Sequence, residues 1–598
     1  MPAKGWAFVQ YANARYDRVL SEWSDDCGEN IGMDRLNRRT LLQVSGMAAV
    51  SMALRGKAYA WAEGTPVATT TAGKRSGLAE DGINVFKGVP YGRDTGKTRF
   101  KAPVVPEAWS GVKECASYRT MAPQLLSARA GGSRSTTSPT GNLPISSSGV
   151  PGAPPDHGRQ SEDCLNLNVW SAGLRDGKKR PVLVYFHGGA YNNGTVNNDI
   201  YDGKRLCHRG DVVVVTVNHR LNAFGYMYLG DLAPEYKDSG NAGQLDLVLA
   251  LKWVKDNIAE FGGDPARVLI FGQSGGGAKC AALMATPIAN GLFHRVMTMS
   301  GQQIKGASIE IASGRAATVL DKLGAGGLKG KELVAKLDSL TMEQIEDAAR
   351  AVSGDWLPVV DNVVLPRNPF DPGAPSLSER VPMMLGNVHD ETAVASPGSE
   401  MTWVTAPAAL DEAIHQYLGP YTAEVVVAKF REIHPQYTPQ QVDIAAATAF
   451  RAWPGQRWEA ERRAANPVSQ SRTWVYQMNF QGVGGRAMHT IDIPFMFDNI
   501  AFATGQIGTD PEHIAEANVL AATMSGMLIA YGRTGNPNGD GRNSGGRTGA
   551  MPYWPTYDLA HRSTMIWERA PYVEEDPRGA ERVFADKAHY HQAGTPLP

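Results

Sequence analysis

Arg267-Val268-Leu269-Ile270-Phe271-Gly272-Gln273-Ser274-Gly275-Gly276-Gly277-Ala278-Lys279 is the stretch on which the reading of this chain turns. Val268 to Phe271 is an unbroken apolar run bounded by polar residues and glycine, the pattern of a strand buried on both faces. Gly272-Gln273-Ser274-Gly275-Gly276 fits G-x-S-x-G, and Ala278 to Ala285 reads as the start of a helix. Strand, sharp turn and helix are the setting in which a serine is raised as a nucleophile. The helix N-terminus beneath such a serine carries unpaired N–H groups and partial positive charge, which suit an oxyanion. The bland alternative is a glycine-rich loop that cradles phosphate or merely turns, because the five-residue motif is short enough to arise by chance.

Working outward, the flanking sequence alternates strand and helix patterns. Pro181–Phe186 and Val212–Val217 read as buried strands. Glu162–Val169 reads as an alternating strand, and Val67–Thr71 as an edge strand. A helix with apolar positions Leu245, Leu247, Val248, Leu251, Val254 and Ile258 precedes the elbow. Further strands are expected over Phe293–Met299, Val381–Gly386 and Thr473–Phe480. Helices are expected within 310–352 and 406–467 and over Glu516–Tyr531. This alternation predicts an α/β class with a doubly wound, mostly parallel sheet. Residues 125–160, rich in Ser, Gly, Pro and Thr without periodicity, read as a flexible surface insertion.

The chain has 598 residues, 42% of them hydrophobic and 20% charged, with a net charge of −1. No strong positive field exists to support general nucleic-acid binding. Five cysteines (Cys27, Cys115, Cys164, Cys207 and Cys280) show no metal-binding spacing, so one disulfide or none is expected. Near the N-terminus, Asn37-Arg38-Arg39-Thr40-Leu41-Leu42 is followed by a short apolar run to Leu54 and by Ala58-Tyr59-Ala60. That order predicts a twin-arginine export signal with a small-x-small cleavage site, and Met33 is a candidate true start. The competing reading is an ordinary helix or a membrane anchor, but the run falls short of the ~20 apolar residues needed to span a bilayer. Residues 1–62 are therefore expected to form an N-terminal extension and 63–598 the enzyme domain, exported to the periplasm or beyond with no stable membrane anchor once the signal is removed.

Several blocks in order, namely Glu162–Val169, His187-Gly188-Gly189, Asn218-His219-Arg220-Leu221, residues 240–277, Arg533–Asn538 and Trp554-Pro555, resemble the type-B carboxylesterases. This is the branch of the α/β-hydrolases that includes cholinesterases and bacterial para-nitrobenzyl esterases. The resemblance covers roughly residues 65–570. It implies an α/β-hydrolase fold with long helical insertions around a gorge, and hydrolysis of a small-molecule carboxylic ester without metal or organic cofactor. An amide or carbamate hydrolase using the same groups, or a non-catalytic adhesion protein, are the alternatives. The chain departs from the family in carrying Gln273 where Glu is usual, Gly275 where Ala is usual, and Ala190 in place of the third glycine of the oxyanion loop. Cys164 matches one half of a family disulfide whose partner position is Ala122 here, which leaves a Cys115–Cys164 pair open.

The order serine, acid, histidine in this fold excludes His157, His187, His208 and His219 as the base of Ser274. The resemblance assigns that role to His489, after a strand and a glycine-rich turn, whereas His415 and His434 lie in helical stretches. It assigns the acid to Glu391, the second residue of an Asp-Glu pair, with Asp390 expected to face solvent. Asp492 matches a supporting carboxylate behind the site. Gly189, Ala190 and Gly275 match the backbone donors of an oxyanion hole. Lys279 formally allows a Ser-Lys dyad. Five helical residues advance about 500°, roughly 140° from the face of Ser274, so a solvated or structural lysine is expected instead.

Overall fold

The computed structural model describes residues 64–124, 155–352, 354–393, 417–539, 551–588, 590–592 and 595. The twin-arginine stretch, the cleavage candidate, Met33, Cys27 and His415 lie outside them, as do residues 125–154 of the expected insertion.

Fourteen strands are present among the described residues: β1 (Val67–Thr70), β2 (Gly73–Ser76), β3 (Leu78–Glu80), β4 (Ile83–Pro90), β5 (Val112–Glu114), β6 (Asn166–Ser171), β7 (Arg180–Phe186), β8 (Val213–Val217), β9 (Gly263–Gln273), β10 (Arg295–Met299), β11 (Met383–Val388), β12 (Thr473–Met478), β13 (Ser563–Trp567) and β14 (Tyr572–Glu575). Eleven form one sheet in the order β14-β13-β12-β11-β10-β9-β7-β8-β6-β4-β3, and β1, β2 and β5 form a small separate sheet. The run from β8 through β13 is parallel, and the two ends of the large sheet are antiparallel.

Both faces of the parallel run are covered. Val182, Val184 and Phe186 of β7, with Val268 and Ile270 of β9, pack in one core cluster with Leu247, Leu251 and Val254 of helix α1 (Ala242–Asn257). The alternate residues Leu183, Tyr185, Leu269 and Phe271 pack in a second cluster with Leu520, Met524 and Leu528 of a long C-terminal helix, Pro511–Thr534. Successive side chains point to opposite faces, so a strand covered on both sides is largely apolar, and any polar side chain in it must find its hydrogen bonds inside. This explains the apolar run at Val182–Phe186 and that at Val213–Val217, where Thr216 accepts from Asn168 Nδ2 at 3.0 Å. It also bears on Glu162–Val169, read as an alternating strand, where the strand itself begins at Asn166. The strand is β6, and all six of its residues are buried, with Asn166 and Asn168 satisfied by hydrogen bonds.

Strand β9 is eleven residues long, well beyond its apolar core at Val268–Phe271. It delivers the chain directly into helix α2 (Gly275–Met284), which starts three residues earlier than the apolar pattern indicated. The helices expected within 310–352 and 406–467 are α3 (Ile309–Lys322), α4 (Gly330–Asp338), α5 (Met342–Ala349), α6 (Ala423–Ile433), α7 (Pro439–Ala447) and α8 (Trp453–Ala464), and a short helix that the pattern did not indicate, α9 (Asp492–Phe497), follows β12. Residues 155–160, read as the end of a flexible insertion, are pinned instead. His157 N–H donates to Asn197 O at 2.7 Å, and Gln160 bridges Met121.

Candidate active site

The site is assembled at the carboxyl ends of β7, β9, β11 and β12, where an open parallel sheet leaves a crevice. Ser274 sits between β9 and α2 with φ 54° and ψ −125°, a backbone that a non-glycine residue seldom adopts. What enforces it is close packing. A Cβ on Gly276 would lie 2.0 Å from Phe186 O, and one on Gly272 would lie 2.4 Å from the carbonyl carbon of Gly276. Ser274 N–H donates to Met299 O at 2.7 Å, which ties the turn to the end of β10. The Ser274 hydroxyl, half-buried, makes no hydrogen bond with the described residues.

His489 lies on the loop after β12, and its Nδ1 is 2.6 Å from Oε2 of Glu391, on the loop after β11. The other oxygen of Glu391 accepts from Asn387 Nδ2 at 2.7 Å and from Val388 N–H at 3.0 Å. Burial would raise the Glu391 pKa, but the imidazolium charge and these hydrogen bonds together hold it below the ordinary value. Burial likewise would lower the pKa of His489, and the Glu391 charge and hydrogen bond outweigh it and hold the imidazole above the ordinary value. With Nδ1 turned to Glu391, Nε2 lies on the side of the elbow, where Gln273 Nε2 is 3.2 Å away. No pattern in the sequence points to a contact between Gln273 and the imidazole.

Asp390 does not face solvent as expected. It is 9% exposed; Oδ2 accepts from Ala487 N–H at 2.9 Å, and Asp390 N–H donates to Ala487 O at 3.0 Å. Its Oδ1 lies 2.8 Å from His389 Nδ1. The first carboxylate of the pair therefore clamps the loop that carries His489, two residues before the imidazole. Asp492 begins α9 fully buried and accepts from Tyr476 Oη at 2.8 Å. Burial, with the nearby Glu391 charge, pushes its pKa up to about 7 against the Tyr476 hydrogen bond. It makes no direct hydrogen bond to His489, and it stands behind the pair as an electrostatic neighbour.

Gly189, Ala190 and Gly275 meet at the foot of Ser274. Gly189 and Ala190 have φ of 83° and 50°, and a Cβ on Gly188 would lie 3.3 Å from Ser274 Cβ. The N–H groups of Gly189, Ala190 and Gly275 have no partner among the described residues. Three adjacent unpaired donors beside a serine can receive the negative charge of a tetrahedral carbonyl adduct. A Cβ on Gly275 would lie 2.2 Å from Ala190 O and 2.5 Å from Ala190 Cα, so glycine is required there. Lys279 is fully buried, not solvated, and reaches the same loop, with Nζ donating to His187 O at 3.0 Å and Ala190 O at 2.8 Å. His434 bonds Glu581 at 2.9 Å, remote from the elbow. Cys115 and Cys164 are both buried free thiols, which closes the question of a bridge between them.

The carboxylesterase family model matches residues 64–583. The para-nitrobenzyl esterase of Bacillus subtilis (strain 168) is 31% identical over 535 residues, 86% of this chain and 97% of that protein. The phenmedipham hydrolase of Pseudarthrobacter oxydans is 30% identical over 520 residues, 84% of this chain and 94% of that protein. A crystal structure of a Geobacillus stearothermophilus carboxylesterase superposes with a TM-score of 0.71 at 31% identity, covering 87% of this chain and 99% of that one.

Proposed function

The chain belongs to the carboxylesterase family and is a carboxylic ester hydrolase; from that premise we propose that it acts through an acyl-enzyme on Ser274, with His489 as base and Glu391 as the acid that orients it. The observation that carries this reading is the 2.6 Å contact between Glu391 Oε2 and His489 Nδ1, which turns Nε2 toward the elbow. A serine hydroxyl is almost wholly protonated near neutral pH and needs such a base. Ser274 Oγ attacks the ester carbonyl while Nε2 takes its proton, and the oxyanion is held by the N–H groups of Gly189, Ala190 and Gly275. The imidazolium, stabilised by Glu391, returns the proton to the leaving alkoxide. Water then repeats the sequence on the acyl-enzyme and frees Ser274. Asp492 supports the imidazole from behind.

The test is Ser274→Ala. The purified variant is expected to melt as the parent does and to hydrolyse a short-chain aryl ester at under a few per cent of the parent rate. Higher residual turnover would remove Ser274 from the role of nucleophile.

Export through the twin-arginine route is part of the same reading. It is supported by Arg38-Arg39, the short apolar run and Ala58-Tyr59-Ala60. Replacing Arg38 and Arg39 by lysine is expected to keep the enzyme in the cytoplasm of its native host. Processed enzyme found outside the cytoplasm in that variant would overturn this part.

A further inference from the structure

We propose that Lys279 is a positioning residue for the oxyanion loop: by holding the His187 and Ala190 carbonyls it anchors both ends of the segment whose two middle peptides present the Gly189 and Ala190 N–H groups. The inference rests on the triad reading and deepens it.

The argument starts from the peptide plane. In a trans peptide the N–H and C=O groups point in opposite directions. Fixing a carbonyl on one side of a loop therefore fixes the following N–H on the other. All four carbonyls from His187 to Ala190 are held. Gly188 O lies 2.9 Å from His187 Nδ1. Gly189 O accepts from Asn192 N–H and Asn193 N–H, each at 3.1 Å. These are the carbonyls of the two peptides whose N–H groups are unpaired. The carbonyls on either side, His187 O and Ala190 O, both accept from Lys279 Nζ. One ammonium thus closes the frame at both ends.

The residue is costly for mere packing. Lys279 is fully buried, and no carboxylate forms an ion pair with it among the described residues. Burial pulls its pKa down to about 7. The groups around it are two carbonyls, the Tyr191 ring 5.4 Å away, the neighbouring Cys280 thiol, and the stacked His187 and His219 rings. Burial and the Lys279 charge press the pKa of His187 down to about 3, which keeps that ring neutral. A buried cation without a counter-ion is disfavoured, and an apolar chain of the same length would fill the space more cheaply. What an apolar chain cannot do is bind the two carbonyls. Lys279 also sits five residues from Ser274 on α2, so the helix that carries the nucleophile and the loop that carries the donors are locked to each other. Ala190 O is the contact shared by this lock and by the requirement for glycine at 275. Lys279 bonds these carbonyls and makes no hydrogen bond to Ser274, so a Ser-Lys dyad is not what the geometry describes.

The test compares the parent with Lys279→Met and Lys279→Gln, using an aryl ester as substrate and a trifluoromethyl ketone as the probe. Ser274 Oγ adds to the ketone carbonyl, its proton passing to His489 Nε2, to give a tetrahedral hemiketal oxyanion in the hole. The Met variant is expected to melt at or above the parent Tm. Its kcat is expected to fall roughly 10- to 100-fold with KM within about threefold, a smaller loss than deletion of a hole donor. Its affinity for the ketone is expected to fall in parallel with kcat. The Gln variant, which keeps a shorter donor, is expected to lie between. Retention of kcat and ketone affinity within twofold in either soluble variant would overturn the proposal, as would a lowered Tm with unchanged kcat, or failure of both variants to fold. Ser274→Ala run alongside separates the two readings. Ketone binding or turnover that survives in that variant contradicts the triad, whereas a defect absent only at Lys279 contradicts the positioning role.

Discussion

The two halves of the candidate site are held in place by different forces. The nucleophile side is a matter of backbone packing. Gly272, Gly275 and Gly276 press against Phe186, Ala190 and one another with no room for a Cβ, and Ser274 is driven to φ 54°. The acid–base side is a matter of charge and hydrogen bonds. Glu391 and Asp390 bind His489 and the Ala487 backbone across two loops, and both carboxylates are held below their ordinary pKa against burial. The glycine packing of the first half should therefore respond to volume, with pH entering it through the Lys279 brace on the oxyanion loop. The second should respond to charge, and its failures should move with pH.

The largest effect is expected at Glu391→Gln. Losing the carboxylate allows the wrong tautomer of His489, at a cost of about 10⁴ in kcat in related triads. The sign of the pH effect follows from the same contact. A base must be neutral to act, so the acidic limb of kcat/KM in the parent should lie above the ordinary histidine value of about 6.5, because Glu391 holds the imidazole up. Without that charge, burial dominates and the limb should move to lower pH. Asp390→Asn should leave the limb nearly in place and cost far less in rate, but it should lower the Tm, since it weakens the clamp on Ala487. A larger rate loss at Asp390 than at Glu391 would reverse the two roles. A stopped pH–rate series on both variants, with melting curves, decides this.

A smaller effect is expected from Gly275→Ala, on the packing side. The change restores the residue usual in the family, yet here a Cβ would meet Ala190 O at 2.2 Å. The oxyanion loop must shift, and overpacking of this kind costs typically about 1–3 kcal/mol. The expectation is a lower Tm and a roughly tenfold or greater drop in kcat, with the acidic limb unmoved because no charge has changed. A variant as stable and active as the parent would show that the loop is not pressed against the elbow.

The same contrast explains what could be read from the sequence. The elbow was legible because its strand, turn and helix are contiguous and each has a local pattern. The parallel sheet was legible because its central strands, buried on both faces, carry long apolar runs. His489 and Glu391 were identified by their resemblance to a family, because the spacing between them is set by two loops. Other features depend on partners far away in the chain. Asp390 looked like a solvent-facing neighbour because its partner, Ala487, lies on another loop. Helical geometry correctly turned Lys279 away from Ser274, but it could not show that residues 187–190 occupy that side. The contact of Gln273 with His489 has the same origin. The free state of Cys115 and Cys164 likewise required the fold, since sequence proximity left a bridge open.

The most direct test of the acyl-enzyme on Ser274 is to trap it. The parent, Ser274→Ala and Glu391→Gln would be mixed with a slowly deacylating aryl ester, quenched in acid, and read by intact mass and peptide mapping. The expected result is one acyl group per chain on the peptide containing Ser274 in the parent, slowed acylation at the same residue in Glu391→Gln, and none in Ser274→Ala. An acyl group on Lys279 or on another serine, or steady turnover by Ser274→Ala with no adduct at all, would contradict the account.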